Sequence, residues 1–195
     1  MSSSRTTTLN LPPPFAAATA SADRRLRGLV DQHFDFIGRV IRNLGVAEAE
    51  IDDVLQQVFC AAANRLPDIV DGSERAFLVQ AAVNWAANAR RARARRREVG
   101  LAELPDVAAD APTPEDVSDR KRAAAVLDGL FATMELELRT VFVLYEIERL
   151  SRSEIAQLLG LAEGTVASRL RRARDDFQTR LERWRRSDRM PGGVP

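Results

Sequence analysis

The chain has 195 residues, 45% apolar and 29% charged, with a net charge of +1, which fits one or two small globular domains. A single cysteine (Cys60) excludes an internal disulfide, and a single histidine (His33) leaves a zinc site at most one His and one Cys beside carboxylates. No apolar stretch approaches the roughly 18–20 residues of a membrane span. The opening MSSSRTTTLNLPPPF has no apolar signal core, so a cytoplasmic protein without cofactor, metal or membrane contact of its own is expected.

The near-neutral total conceals an uneven distribution. Residues 90–97 hold six arginines and no acid, residues 98–118 hold six acids and no base, and residues 165–186 hold eight arginines against three acids. Two basic segments separated by an acidic, self-repelling one are what a nucleic-acid binder would show.

Residues 1–22, mostly Ser, Thr, Pro and Ala, have little to bury and are expected to be a disordered extension. From Arg24 the pattern turns helical: Leu26, Leu29, Val30, Phe34, Ile37, Ile41 and Leu44 recur three or four apart. Gly45 stands where a C-terminal glycine belongs. A second helical face (Ile51, Val54, Leu55, Val58, Phe59, Ala62, Leu66) stops at Pro67. Asp71-Gly72-Ser73 predicts a turn into a third helix, which carries Phe77, Leu78, Ala81, Ala82 and Trp85 and runs on into the arginine cluster. Pro105, Pro112 and Pro114 among acids make 99–118 a linker.

Beyond it, Ala123, Val126, Leu127, Leu130, Phe131 and Met134 predict one helix, and Leu138, Val141, Phe142 and Tyr145 another. A short helix over Ser153–Leu159 precedes a long one with Val166, Leu170, Ala173, Phe177, Leu181 and Trp184 facing inward, and 187–195 is a tail. No stretch alternates with period two for long enough to be a strand. The class is all-α: two small helical domains (23–98 and 119–186) joined by an acidic flexible linker, each with a modest core.

The sharpest local signal is SRSEIAQLLGLAEGTVASRLRRARDDF, Ser151–Phe177. A small residue (Ala156), a glycine four later (Gly160) and a β-branched residue six beyond (Val166) mark a helix-turn-helix whose second helix enters the major groove. That helix is expected to start near Thr165, acting as N-cap. With Val166, Leu170 and Ala173 inward, its outer face carries Ala167, Ser168, Arg169, Arg171, Arg172 and Arg174. Arginine can bridge guanine O6 and N7 or clamp phosphate.

Three segments together resemble the extracytoplasmic-function sigma factors, compact two-domain initiation factors of bacterial transcription. VFVLYEIERLSRSEIAQLLGLAEGTVASRLRRAR (Val141–Arg174) is similar to their region four almost position by position. DDVLQQVFCAA (Asp52–Ala62) and GSERAFLVQAAVNWAANARRARARRR (Gly72–Arg97) resemble region two. The resemblance implies a region-two domain and a helix-turn-helix, winged-helix-like region-four domain, with core RNA polymerase (β′ clamp helices and β flap), promoter DNA and an anti-sigma factor as partners.

Carried over by position, Asp53, Gln56, Gln57 and Phe59 would dock on the β′ clamp helices, although Phe59 is equally consistent with core packing, which the residues alone favour. Asn84 and Asn88 would read an unstacked base at the minus-ten element, and Arg90, Arg91, Arg93, Arg95, Arg96 and Arg97 would hold its phosphates. Ala167, Ser168, Arg171 and Arg172 fall at the groove contacts to the minus-thirty-five element, with Thr165 opening the helix and Arg169 and Arg174 on phosphate. The chain departs from the family pattern at Ala167 (usually basic), Gln80 (commonly Arg), Phe77 (usually Trp) and Met134-Glu135 (usually Leu-Pro).

Two other readings compete. A stand-alone helix-turn-helix regulator explains the second domain but leaves Asp53–Phe59 and the first arginine cluster unassigned. A nucleic-acid enzyme needs a carboxylate cluster or a His-based acid/base. His33 sits on an apolar stripe, and the adjacent Asp52 and Asp53 diverge by about 100° on a helix, so no enzyme is expected.

Overall fold

The computed structural model describes residues 14–98, 126–127, 129–131 and 133–188, and every regular element among them is helical. The expected linker and tail, like residues 1–13, lie outside the described residues, apart from Ser187 and Asp188 at the end of the last helix. No strand occurs among the described residues, so nothing there forms a wing.

The first lobe contains α1 (Pro14–Asn43), α2 (Ile51–Arg65) and α3 (Glu74–Glu98). α1 begins inside the segment expected to be disordered. Pro14 is tolerated in a first turn, and the alanines at 16–18 are strong helix formers. Leu29, Ile37 and Ile41 of α1 are buried with Leu44 just beyond it, as are Val54, Leu55 and Val58 from α2 and Leu78, Val79 and Ala82 from α3. Not all of the α1 stripe is covered: Phe34 is 48% exposed.

In the second lobe, residues 126–127 and 129–131 are helical, followed by α4 (Leu136–Phe142), which widens into a π-helical turn over Val143–Ile147. α5 (Arg152–Leu159) and α6 (Glu163–Asp188) complete it. Phe131, Phe142 and Phe177 meet with ring centroids 5.0–5.6 Å apart. Phe177 is only partly buried. Trp184, expected inside, is exposed because α6 outlasts the core it packs on.

The lobes dock on each other, and their buried apolar residues form one continuous cluster. The seam is held by arginines. Arg139 of α4 is 2% exposed. Its Nε donates to the Asn43 carbonyl at the end of α1 (2.6 Å), its Nη1 to the Phe131 carbonyl (2.9 Å), and its guanidinium lies over the Phe131 ring. Gly45 makes room for it: at φ +88° it takes a left-handed turn, and a Cβ there would stand 2.5 Å from Arg139 Nη1. From the other side, Arg90 of α3 donates to the carbonyls of Leu44 (3.2 Å) and Met134 (3.0 Å). Gln80 donates to the Leu158 carbonyl (3.0 Å), and Arg39 forks onto Glu148 (3.0 Å). The glutamine at position 80 thus serves the seam.

Candidate nucleic-acid interface

α5 starts with a capping box. Ser151 Oγ accepts from the Glu154 amide, and the Glu154 carboxylate accepts from the Ser151 amide (2.8 Å) and hydroxyl (2.6 Å). These bonds, the hydroxyl's first, hold the Glu154 carboxyl below its usual range. α5 ends at Gly160, which turns left-handed at φ +66°. Ala156 and Val166 are buried where α5 and α6 cross, as the spacing predicts.

α6 begins at Glu163, and the first helical bonds return to the Ala162 carbonyl. Thr165 is therefore inside the first turn, not the N-cap. Its carbonyl accepts from Ser168 Oγ (2.9 Å). No capping hydroxyl is needed here, since Glu163 already complements the positive helix end.

Val166, Leu170 and Ala173 face the core, which leaves Ser168, Arg171 and Arg172 on the exposed face. Arg169 and Arg174 flank it. Arg169 pairs with Glu137, Arg172 stands 3.8 Å from Glu135, and Arg174 pairs with Glu146 (2.7 Å) while lying over Tyr145. The bond to Glu146 raises the Arg174 pKa. The short side chain of Ala167 borders a cleft of about 230 Å³, which Tyr145, Arg152, Arg171 and Arg174 also line.

The arginines of α3 do not form one surface. Arg90 is drawn into the seam, and burial lowers its pKa. Arg96 pairs with Glu50 (3.2 Å), and Arg91 donates to Asn88 Oδ1 (2.6 Å). Arg93 is half-buried and Arg95 exposed, while of Arg97 only the helical backbone is described. Asn84 is exposed in mid-helix and caps nothing. Asn88, Arg91 and Arg95 line a cavity of about 660 Å³ with the half-buried Trp85. A second cavity, of about 470 Å³, opens between the α2–α3 turn and α3. Its lining includes Arg65, Ser73, Phe77 and Gln80, with the well-exposed Val70 at its edge. Spacing gives no sign of this cavity; the only hint in the sequence is the apolar pair Ile69-Val70 just before the Asp71-Gly72 turn.

On α2, Asp53, Gln56 and Gln57 are exposed, and Phe59 is half-buried, stacked on Phe34 at 6.0 Å. The four spread around the helix: Asp53 and Gln57 line the α3-side cavity, whereas Gln56 and Phe59 line an apolar groove of about 390 Å³ against α1. Cys60 also opens onto that groove. His33 is half-buried, and burial followed by the nearby Arg75 charge lowers its pKa. Among the described residues no group of three or more His, Cys, Asp or Glu is placed to hold a metal, and no helix is long and apolar enough to cross a membrane.

The family model for sigma-70 region 4 matches residues 125–176, spanning the helix-turn-helix. The RNA polymerase sigma factor CnrH of Cupriavidus metallidurans is 32% identical over 176 residues, covering 86% of this chain and 92% of its own length. The ECF RNA polymerase sigma factor SigE of Mycolicibacterium smegmatis is 31% identical over 154 residues, and the match spans 60% of that longer relative. A solved structure of CnrH in complex with the cytosolic domain of CnrY is similar with a TM-score of 0.61 at 27% identity, over 86% of this chain and 94% of that one. The chain belongs to the ECF sigma factors of RNA polymerase.

Proposed function

We propose that the chain binds core RNA polymerase and directs it to promoters, the second lobe reading the minus-thirty-five element and the first taking the minus-ten strand. It acts in the cytoplasm as an initiation factor, not as an enzyme. The observation that carries this reading is the capped helix, left-handed Gly160 turn and α6 face of Ser168, Arg171 and Arg172, on a chain of this family. Such a face fits a major groove, where a bidentate arginine distinguishes guanine.

On the first lobe, Asn84, Asn88, Arg91, Arg93 and Arg95 are the residues we assign to the minus-ten strand. The two cavities flanking α3 offer places for an unstacked base, one with the Asn88 amide beside Trp85, the other with Ser73 and Phe77. Arg90 is left out of the strand contacts while it holds the seam. The outer side of α2, from Asp53 and Gln57 around to Gln56 and Phe59, is the surface we assign to the β′ clamp helices, with the β flap meeting the second lobe. The exposed apolar groove at Phe34 and Phe59 favours this reading over a stand-alone regulator, which has no use for a sticky surface on the lobe without the helix-turn-helix. An anti-sigma factor is the further partner we assign; the related CnrH is itself found in complex with another protein, the cytosolic domain of CnrY.

The test is reconstitution. Purified chain added to core polymerase is expected to co-elute with it and to start transcripts at defined positions on genomic templates. DNA binding without association with core would favour the stand-alone regulator.

A further inference from the structure

Three of the four arginines between positions 169 and 174 already hold a carboxylate of their own lobe, and two of those carboxylates come from one place. Glu137 lies in the first turn of α4, 2.5 Å from Arg169 Nη2, and Glu135 immediately precedes that helix, 3.8 Å from Arg172 Nη2. A helix start favours acids, so these two are stable where they stand. Nor is their turn free to drift. The Met134 side chain is buried, the Met134 carbonyl accepts from Arg90, and the Phe131 carbonyl accepts from Arg139. Arg171, by contrast, has no carboxylate partner among the described residues.

We propose that Glu135 and Glu137 are positioning residues for DNA recognition: tethered counter-ions that occupy the guanidinium groups of Arg172 and Arg169 until DNA displaces them. The inference rests on the assignment of α6 as the groove-reading helix. A guanidinium that leaves a carboxylate for a phosphate (Arg169) or a base edge (Arg172) exchanges one acceptor for another, so the contact adds less than it would from a solvated arginine. The pairs therefore lower affinity for every duplex, and they leave Arg171 as the one arginine of the four whose full charge meets DNA from the start. This gives the acidic Glu135, where the family pattern has proline, a use: it tempers a face that would otherwise cling to any polyanion.

Measured on the full chain, Glu135→Gln/Glu137→Gln is expected to tighten duplex binding by at least about two- to fivefold, the range of an exposed ion pair such as Arg172–Glu135. The log–log salt slope is expected to steepen by up to ~0.9 for the release of Arg169, which is assigned to phosphate. The probes are a duplex selected from a random pool by the chain bound to core polymerase, and a scrambled copy of it. In an Arg169→Ala/Arg172→Ala background the same glutamines should change nothing. If the gain persists there, the acids act on DNA directly and the inference fails. If the glutamines have no effect in the wild-type background, with unchanged thermal unfolding, the pairs do not compete with DNA and it fails as well. If the wild-type chain selects no common sequence, the assignment of α6 falls first and takes this inference with it.

Discussion

Arginine does opposite work at the seam and on the recognition face. At the seam, Arg139 is buried against backbone carbonyls from both lobes, and Arg90 meets carbonyls from both at half burial. On α6, Arg172 and Arg174 lie more than half exposed, each against a single carboxylate. A carbonyl inside the seam has no water to turn to when its donor leaves, whereas a surface carboxylate does. The seam arginines are therefore structural and Arg172 and Arg174 exchangeable, although the residue type is the same.

The strongest way to break this contrast is Arg139→Met, which keeps the stem volume and removes the donors. It leaves the Asn43 and Phe131 carbonyls short of a partner and is expected to cost about 2–4 kcal/mol in denaturant unfolding. The same change on the other face, Arg172→Met, should leave unfolding within roughly 0.5 kcal/mol of wild type. Equal losses would mean that exposure does not separate the two sets.

The converse experiment is on DNA. Arg172→Ala is expected to cost about 1–3 kcal/mol of preference for the correct base at one position of the upstream element. Uniform weakening on every sequence would place Arg172 on phosphate. Arg93→Ala/Arg95→Ala should make the salt slope shallower by up to ~0.7 per lost single-strand contact. Arg90→Ala should instead lower stability and leave the slope unchanged. A shallower slope for Arg90→Ala would show that the arginine leaves the seam to hold DNA.

Much of this was legible in the sequence, and the exceptions share a cause. Each helix buries one stripe at its own period, so Ile37, Val58, Leu78 and Val166 could be placed from spacing alone, as could the Ala156–Gly160 turn. What spacing omits is which polar group meets which element far along the chain. Arg139 stands among Leu138, Val141 and Phe142 on the buried side of its helix, and the clue was that a charge there needs partners. The carbonyls that supply them come from Asn43 and Phe131, 96 and 8 residues away. Arg90 was indistinguishable from its neighbours because a cluster of like residues carries no sign of which one turns inward. Trp184 keeps the period of its helix but is exposed, since periodicity continues past the end of a core.

Gly45 sharpens the comparison within the seam. Gly45→Ala is expected to cost about 1–2 kcal/mol for the left-handed backbone alone, and more because the new Cβ meets the Arg139 guanidinium. Made together with Arg139→Met, it should cost less than when made alone, a coupling that a double-mutant cycle reads directly. Strict additivity would mean that the glycine serves only its own turn.

The smallest effect is expected at the other left-handed position. Arg149, at φ 59°, closes the π-helical turn, with the Leu150 amide donating back to the Leu144 carbonyl at 3.0 Å. That is the backbone of a helix stop where glycine is preferred. Arg149 is exposed. Arg149→Gly relieves the steric strain of a side chain in this region, about 1–2 kcal/mol, and gives back roughly 0.5–1 kcal/mol through the greater freedom of the unfolded glycine. The net is a stabilisation of ~0.5 kcal/mol by denaturant unfolding, opposite in sign to Gly45→Ala. A loss instead would show that the Arg149 side chain holds the second lobe in a way its exposure does not reveal.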